Sequence, residues 1–510
     1  MTGSGRRNPG LLLGVAAVLT GAALALVFAS RLPLGVDDWA WPRVRQPAWG
    51  AALYPLLLYV LIVGIAVAAW TRAPRAGRAE TGAAVATLTV LAFLAQVAVG
   101  QQSPAGYQES VMAVALPGPN RYHQAARRIE RLGPVLRRYP SWMRDARHPL
   151  MITNPGGPLT FLWCMNQVFA GDEAGAARFV RWCERNLAMG LRLRETPYGG
   201  RLLASMSEAE LAGAWLVTFV LRGVAALVVA GTYALARELY DRRTAVAAAA
   251  FGAAIPSLLL FSPGLDQAYP ALAVTALWLA WGAGRRRSAW RAAVAGLAVS
   301  AGMFFTLAFA VVGLWCGLLG LAGLARREER ASRVEAAWLL AVGAVGWVVP
   351  ILLLYTGLGY NSLGAWWGAW RTNARFNLAQ GRTWWKWVLV NPVEFTAFLG
   401  LPVACLFLRR VVGEARAALA ERGSGVDWPV LILAGLLLVL SVAGINRGEV
   451  ARLWQFLMPA CAVAAAAEVG RYAPYRRTVL TVTLVLQCVQ VVAFKAGLDV
   501  LVGPYRLLGG

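Results

Sequence analysis

Acidic residues are scarce in this chain: 25 aspartates and glutamates stand against 49 lysines and arginines, for a formal net charge of +24. Lysine is scarcer still. Lys386 and Lys495 are the only two, so the positive charge is nearly all arginine. There are two histidines, His123 and His148, and six cysteines with no Cys-x-x-Cys pair, a pattern that argues against a structural zinc site, and no metal is expected from it. No Gly/Ser linker, low-complexity tract or internal repeat marks off a second soluble domain. A charge of +24 would suit a nucleic-acid binder, but the arginines form neither a tail nor one helix face. They recur in short clusters between apolar runs, so nucleic acid is not an expected partner and their first role is membrane topology.

What the chain does have is apolar length. Its hydrophobic fraction is 58%, with 22 Trp, against roughly 45–50% apolar in a soluble globular protein. Several runs reach the roughly 20 residues needed to cross a bilayer as a helix, and none alternates like a barrel strand. The expected fold is therefore an all-α integral membrane protein, a polytopic helical bundle. Arg6 and Arg7 before a long apolar run have the layout of a signal peptide, but no convincing cleavage site follows, so the run reads as an uncleaved first span.

Arginine clusters mark cytoplasmic connections. With the N-terminus inside, crossings are expected at 11–29, 51–70, 82–99, 209–236, 244–261, 270–283, 335–356, 388–408, 428–445, 451–469 and 478–500. The block 292–324 lies between two cytoplasmic clusters and must cross an even number of times, as two short helices hinged near Phe304 to Thr306 or as a re-entrant pair. The count comes to about thirteen spans in a bacterial inner membrane. Three regions follow: 1–100 with the first three spans, 101–208 as a long extracytoplasmic segment, and 209–510 as the main bundle. In the long segment Ile129, Leu132, Val135 and Leu136 recur at helical spacing opposite arginines, which predicts an amphipathic helix on the outer leaflet. Cys164 and Cys183 fall in the same segment and can pair if that compartment oxidises.

The distinctive polar residues all fall on the predicted outer side. Asp37 and Asp38 are adjacent carboxylates in LPLGVDDWAWPR, beside Trp39 and Trp41, aromatic residues of the kind that settle at headgroup level. A carboxylate there can act as general base towards a sugar or lipid hydroxyl, or the pair can hold a divalent cation through its oxygens; a solvated loop is the plainer alternative. Asp266 and Tyr269 lie in a short turn, FSPGLDQAYP. In SVAGINRGEVARLWQFLMP, Arg447, Glu449 and Arg452 enter an apolar span directly, where charges snorkel or serve a site. Glu449 and Arg452 share a helix face, suited to an arginine grip on phosphate or to an internal ion pair. Six tryptophans surround Asn373, Arg375, Asn377 and Arg382, a composition that fits sugar or headgroup contacts and fits an ordinary interfacial belt equally. His148 and Asn154 flank a Pro-rich turn before a helix start.

Taken together, the acidic pair, the Tyr-x-x-Ala-Ala-Arg stretch from Tyr122 to Arg127, the Pro-rich turn and GEVARLWQFLMP resemble the polytopic glycosyltransferases of the GT-C type, in particular the family 39-like proteins related to aminoarabinose transferase and protein O-mannosyltransferase. The resemblance implies transfer of a sugar from a polyprenyl-phosphate donor to an acceptor on the outer face, with inversion. It also implies Asp37 or Asp38 as base, with Arg447 and Arg452 on the donor phosphate. This chain departs from the pattern where the family's His-Pro-Pro turn reads Asn154-Pro155-Gly156, unless His148 substitutes. The expected partners are a lipid-linked sugar donor and membrane lipids; the sequence names no acceptor. The rival readings are a transporter or flippase of lipid-linked glycans and a non-catalytic cell-envelope scaffold.

Overall fold

The structure, a computed structural model, describes residues 8–29, 32, 34–37, 39–44, 49–103, 106–116, 120–145, 153–187, 195, 203–325, 330–420 and 426–501. Asp38 and His148 lie outside the described residues. The chain begins with helices α1 (Gly10–Phe28), α2 (Leu53–Arg72) and α3 (Arg78–Gly100). A small antiparallel hairpin, β1 (Gly35–Val36) with β2 (Trp39–Ala40), stands between the first two. Short helices follow: α4 (Gln108–Ala115), α5 (Arg121–Arg127), α6 (Leu132–Arg137), α7 (Tyr139–Asp145), α8 (Gly157–Gln167) and α9 (Glu173–Asn186).

Long apolar helices then resume with α10 (Glu208–Ala226), α11 (Val228–Leu239), α12 (Arg242–Ala253), the short α13 (Pro256–Leu260), α14 (Tyr269–Arg286), α15 (Ala289–Phe305), α16 (Phe309–Ala325) and α17 (Arg330–Leu358). The chain closes with α18 (Ser362–Ala379), α19 (Trp384–Leu399), α20 (Leu401–Ala420), α21 (Trp428–Ala443), the one-turn α22 (Val450–Leu453), α23 (Met458–Val469) and α24 (Arg476–Gly497).

Among the described residues seven helices are long and apolar enough to cross a membrane, or eight if α19 and α20 count as one bent span. Further expected crossings fall on shorter apolar helices, including α15 and α16, which break at Thr306 as the hinge expectation requires. The protein is an all-α polytopic membrane protein. Its centre is built from alanine: residues 245–250 of α12 and 460–467 of α23 are all buried. A helix apolar on every side belongs inside a bundle, and small residues let the backbones approach closely. By contrast α17 lies at the edge of the bundle, packed along α15 through Gly343 and Gly346 with most of its remaining hydrophobic residues exposed.

One expected crossing is different. The segment 388–408 is not one helix, because α19 and α20 meet at Gly400 with a bend of 116°. Gly400 has φ +99°, and the Gln487 amide packs where a Cβ would stand. Along its length α19 holds the 442–451 connection instead of plunging inward: Trp384 Nε1 donates to the Val442 carbonyl and Asn391 Nδ2 to that of Asn446, while a Glu394 oxygen accepts from Ala451 N–H. Its polar face is thereby buried against that connection.

The long segment after α3 also differs from expectation. Among the described residues the stretch is no long surface helix: Leu132, Val135 and Leu136 lie on the short α6 and Ile129 just before it, with Leu136 buried and the other three packed against a core that includes Tyr107, Tyr139 and Trp215. Proline at 134 and 140 divides the stretch, and its apolar face is taken up by the protein itself. Cys164 is exposed and Cys183 is buried, and neither is bonded.

Contacts sort the connections into two ends. At one, Arg242 donates to the carbonyls of Ala73 and Ala76, Arg286 and Arg291 pair with Glu238, and Arg410 pairs with Asp427 at 2.6 Å. At the other, Val44 N–H donates to Gly497 O, Trp41 reaches Glu394, and Arg452 reaches Asp266. These are the two sets that the arginine-cluster argument separates.

Candidate functional site

The site grows from an irregular connection, Gly444 to Glu449, between α21 and α22. Gly448 has φ +88° and presses its backbone against the Trp387 ring, where an added Cβ would come within 2.7 Å. Glu449 itself sits at φ +59°, a left-handed conformation uncommon outside glycine and costly by about 1–3 kcal/mol. The neighbours hold it there. Asn391 Nδ2 donates to the Asn446 carbonyl, Gly448 N–H donates to Asn391 Oδ1 at 3.2 Å, and Asn377 Nδ2 donates to the Ile445 carbonyl at 2.8 Å.

This strained backbone aims charge at one place. Arg452 Nη2 is 2.8 Å from Glu449 Oε2, and its Nε is 3.3 Å from Asp266 Oδ2 in the turn before α14. Arg382 pairs with the other Glu449 oxygen at 3.2 Å. Arg382 and Arg447 also exchange bonds, each donating to the other's carbonyl. Three arginines and two carboxylates thus form one half-buried network. Burial raises the Asp266 carboxyl above its ordinary range, opposed by Arg452 and reinforced by Glu449. Tyr122, buried on α5, lies within electrostatic range of Asp266, and Tyr269 begins the helix that Asp266 precedes.

The acidic hairpin is tied to this network at its rim. Asp37 lies in the β1–β2 turn, 89% exposed, 2.9 Å from Lys386 Nζ. The lysine hydrogen bond holds its carboxyl below the usual range. Two residues on, Trp39 stacks near the Arg382 guanidinium at 5.4 Å. Trp41 Nε1 donates to Glu394 at 2.8 Å, and the same Glu394 oxygen accepts Ala451 N–H at 3.1 Å. Glu394 therefore joins the hairpin to the helix start that carries Arg452. Among the described residues no three His, Cys, Asp or Glu side chains converge to hold a metal; the cation option at Asp37 and Asp38 rests on a residue outside them.

The Pro-rich turn is clamped by tyrosines. Asn154 N–H donates to Tyr122 Oη, Tyr139 Oη donates to the Pro155 carbonyl at 3.0 Å, and Gly156 N–H donates to Tyr360 Oη at 2.9 Å. Gly157 packs against the Phe304 carbonyl and Phe305 at the α15 end, with no room for a Cβ. Of the α18 candidates, Asn377 supports the Gly444–Glu449 connection, Asn373 shares its face one turn away, and Arg375 is exposed.

Sequence reasoning did not assign Glu394, Asn391 or Lys386. Their signal was present: Glu394 and Asn391 are polar residues inside an apolar run, and such residues mark function or structure by their desolvation cost.

No protein-family model matches this chain, and comparison with curated proteins finds no match either. Among solved structures, two of an oligosaccharyltransferase from Archaeoglobus fulgidus are similar. One is a complex with zinc and sulfate, at 15% identity, covering 79% of this chain and 53% of that one, with a TM-score of 0.38. The other is tethered to an acceptor peptide, at 14% identity, covering 80% and 55%, also with a TM-score of 0.38. This chain spans about half the length of that enzyme.

Proposed function

We propose that the protein is a membrane glycosyltransferase of the GT-C type that moves a sugar from a polyprenyl-phosphate carrier to an acceptor at the extracytoplasmic face. The observation that carries the reading is Arg452 held between Asp266 and Glu449 at the end of the bundle away from the arginine clusters. By the positive-inside rule the arginine-rich end is cytoplasmic, which makes the hairpin end extracytoplasmic.

The reaction is a single displacement. The acceptor hydroxyl oxygen bonds to the anomeric carbon as the carbon–oxygen bond to the carrier phosphate breaks, with inversion. The hydroxyl proton passes to a carboxylate, and the electron pair of the broken bond leaves with polyprenyl phosphate. Arginines already oriented towards that charge stabilise it without reorganising. Arg452 and Arg382 supply the guanidinium groups; Arg447, for which the resemblance implies the phosphate too, is engaged with the Arg382 and Gly444 carbonyls and positions Arg382.

Two carboxylate sites divide the remaining work. The resemblance implies Asp37 or Asp38 as base; we assign the proton to Asp266 instead, because it lies half-buried 3.3 Å from Arg452, inside the network that would hold the donor phosphate, and burial raises its carboxyl. Asp37, exposed and paired with Lys386, is a weaker base and orients the acceptor at the rim, a role in which Asp38, outside the described residues, would share. Tyr122, Tyr269, Asn154, His148, Asn373, Arg375 and Asn377 are assigned to sugar and headgroup contacts or their support.

Proteoliposomes given radiolabelled polyprenyl-phosphate sugars and a panel of hydroxyl acceptors test the reading. The expected result is a glycosylated acceptor of inverted anomeric configuration with release of polyprenyl phosphate. Movement of intact donor across the bilayer with no release would replace the enzyme by a flippase.

A further inference from the structure

A cavity of about 790 Å³ runs between α14, α15, α16 and α17, well apart from the charged network at the hairpin end. On α15 it follows the helix from Ala292 to Met303, most of that helix's length. Glycines line it in two ways: Gly296 and Gly343 bring the α15 and α17 backbones into direct contact along one wall, while Gly317 on α16 leaves space open. A Cβ added at Gly317 or Gly284 would meet nothing within 4 Å. Its volume falls in the range of small-molecule sites, roughly 300–1,000 Å³. Water has little to bond to along such walls, so the occupant must be largely hydrocarbon.

At one end the Trp347 N–H is taken up by the Met303 sulfur; the charged groups of the lining stand at the other. Glu238 and Arg285 stand there, and the buried Nε1 of Trp281, one turn before Arg285, has no hydrogen-bond partner. Around this mouth Arg286 and Arg291 pair with Glu238, and Arg287 pairs with Glu335. Among the described residues four arginines thus stand at or beside the mouth against two glutamates, Arg285 and Glu238 lining the cavity itself, and the Trp281 N–H there is a donor. The charge left over is positive, and an anionic, oxygen-bearing headgroup complements it.

We infer that this cavity is a binding site for an anionic phospholipid of the arginine-side leaflet. One acyl chain lies between α15, α16 and α17, and the phosphate sits at Trp281, Arg285 and their neighbours. The site is separate from the proposed sugar-transfer site and does not depend on that reading.

The test is mass spectrometry of lipids retained by the full-length protein after extraction from bilayers containing phosphatidylglycerol and phosphatidylcholine with identical chains, together with thermal stability in each lipid. Phosphatidylglycerol should be retained selectively and raise the melting temperature. Gly317→Leu, which fills open space on a helix, should abolish retention while the protein stays folded. Arg285→Gln should weaken it about fivefold, the loss of one headgroup arginine. Equal retention of both lipids, retention unchanged by Gly317→Leu, or exclusive retention of a polyprenyl phosphate would each overturn the inference.

Discussion

Arg452 bridges two carboxylates that come from different parts of the chain, with its Nε 3.3 Å from Asp266 and its Nη2 2.8 Å from Glu449. An arginine so held is oriented before any ligand arrives, at the expense of the left-handed backbone at Glu449. Arg452→Lys keeps the charge and loses the two-sided grip, since an ammonium is a point charge without the planar fork. Steady-state transfer assays should show kcat falling by about 10²–10³, the scale of losing one oriented transition-state donor, with Arg452→Gln lower still.

Asp266 and Asp37 should separate kinetically. Asp266→Asn removes the base and should reduce kcat by about 10²–10⁴, whereas Asp37→Asn should act mainly on KM for the acceptor. The pH profile carries the same distinction. A base must be deprotonated, and burial raises the Asp266 carboxyl, so activity should rise with pH on a limb displaced above the ordinary carboxylate range. That limb should persist in Asp37→Asn, because the Asp37 carboxyl is shifted the other way by Lys386.

Much of this arrangement was legible in the sequence. Arginine clusters, apolar run lengths and the even-crossing requirement for 292–324 led to the two ends and to the break between α15 and α16 at Thr306. The sequence placed Asp266, Glu449 and Arg452 on one side with the other polar clusters, but did not single out the Arg452 bridge to Asp266. The bend at Gly400 was not legible, since hydropathy rates NPVEFTAFLGLPV as one span and says nothing of the Asn391 and Glu394 bonds that tie α19 to the 446–451 connection. Nor was the pairing of Asp37 with Lys386, which depends on the hairpin lying across α19. The amphipathic stretch around Leu132 was misplaced onto lipid because periodicity identifies an apolar face without identifying what covers it.

Glu394 is fully buried and accepts from both Trp41 and Ala451 through one oxygen. Glu394→Gln retains a carbonyl oxygen at that place and should leave the fold intact. Glu394→Ala strands both donors and should cost about 1–3 kcal/mol for each, the penalty of a buried group without a partner. Thermal unfolding in nanodiscs reads the difference, and tryptophan fluorescence should report the release of Trp41.

His123 on α5 is buried, and burial with Arg127 nearby lowers its pKa to about 4. Above the ordinary value near 6.5 the ring is neutral whether the chain is folded or not. Between there and about 4 the unfolded chain takes a proton that the folded one refuses, so stability falls as pH falls through that window, by about 3 kcal/mol in total. Melting curves from pH 8 to pH 5 should show this decline in the wild type and a shallower one in His123→Gln.

The most direct test of the central claim compares two arginines in similar ion pairs at opposite ends of the bundle. Arg452 pairs with Asp266 and Glu449; Arg410 pairs with Asp427 and Glu414. Release of polyprenyl phosphate from a lipid-linked sugar is measured in proteoliposomes for Arg452→Gln and Arg410→Gln, each checked for folding by its melting temperature. The account predicts release lost by about 10²-fold or more in Arg452→Gln and retained in Arg410→Gln. Wild-type release from a folded Arg452→Gln protein would contradict it.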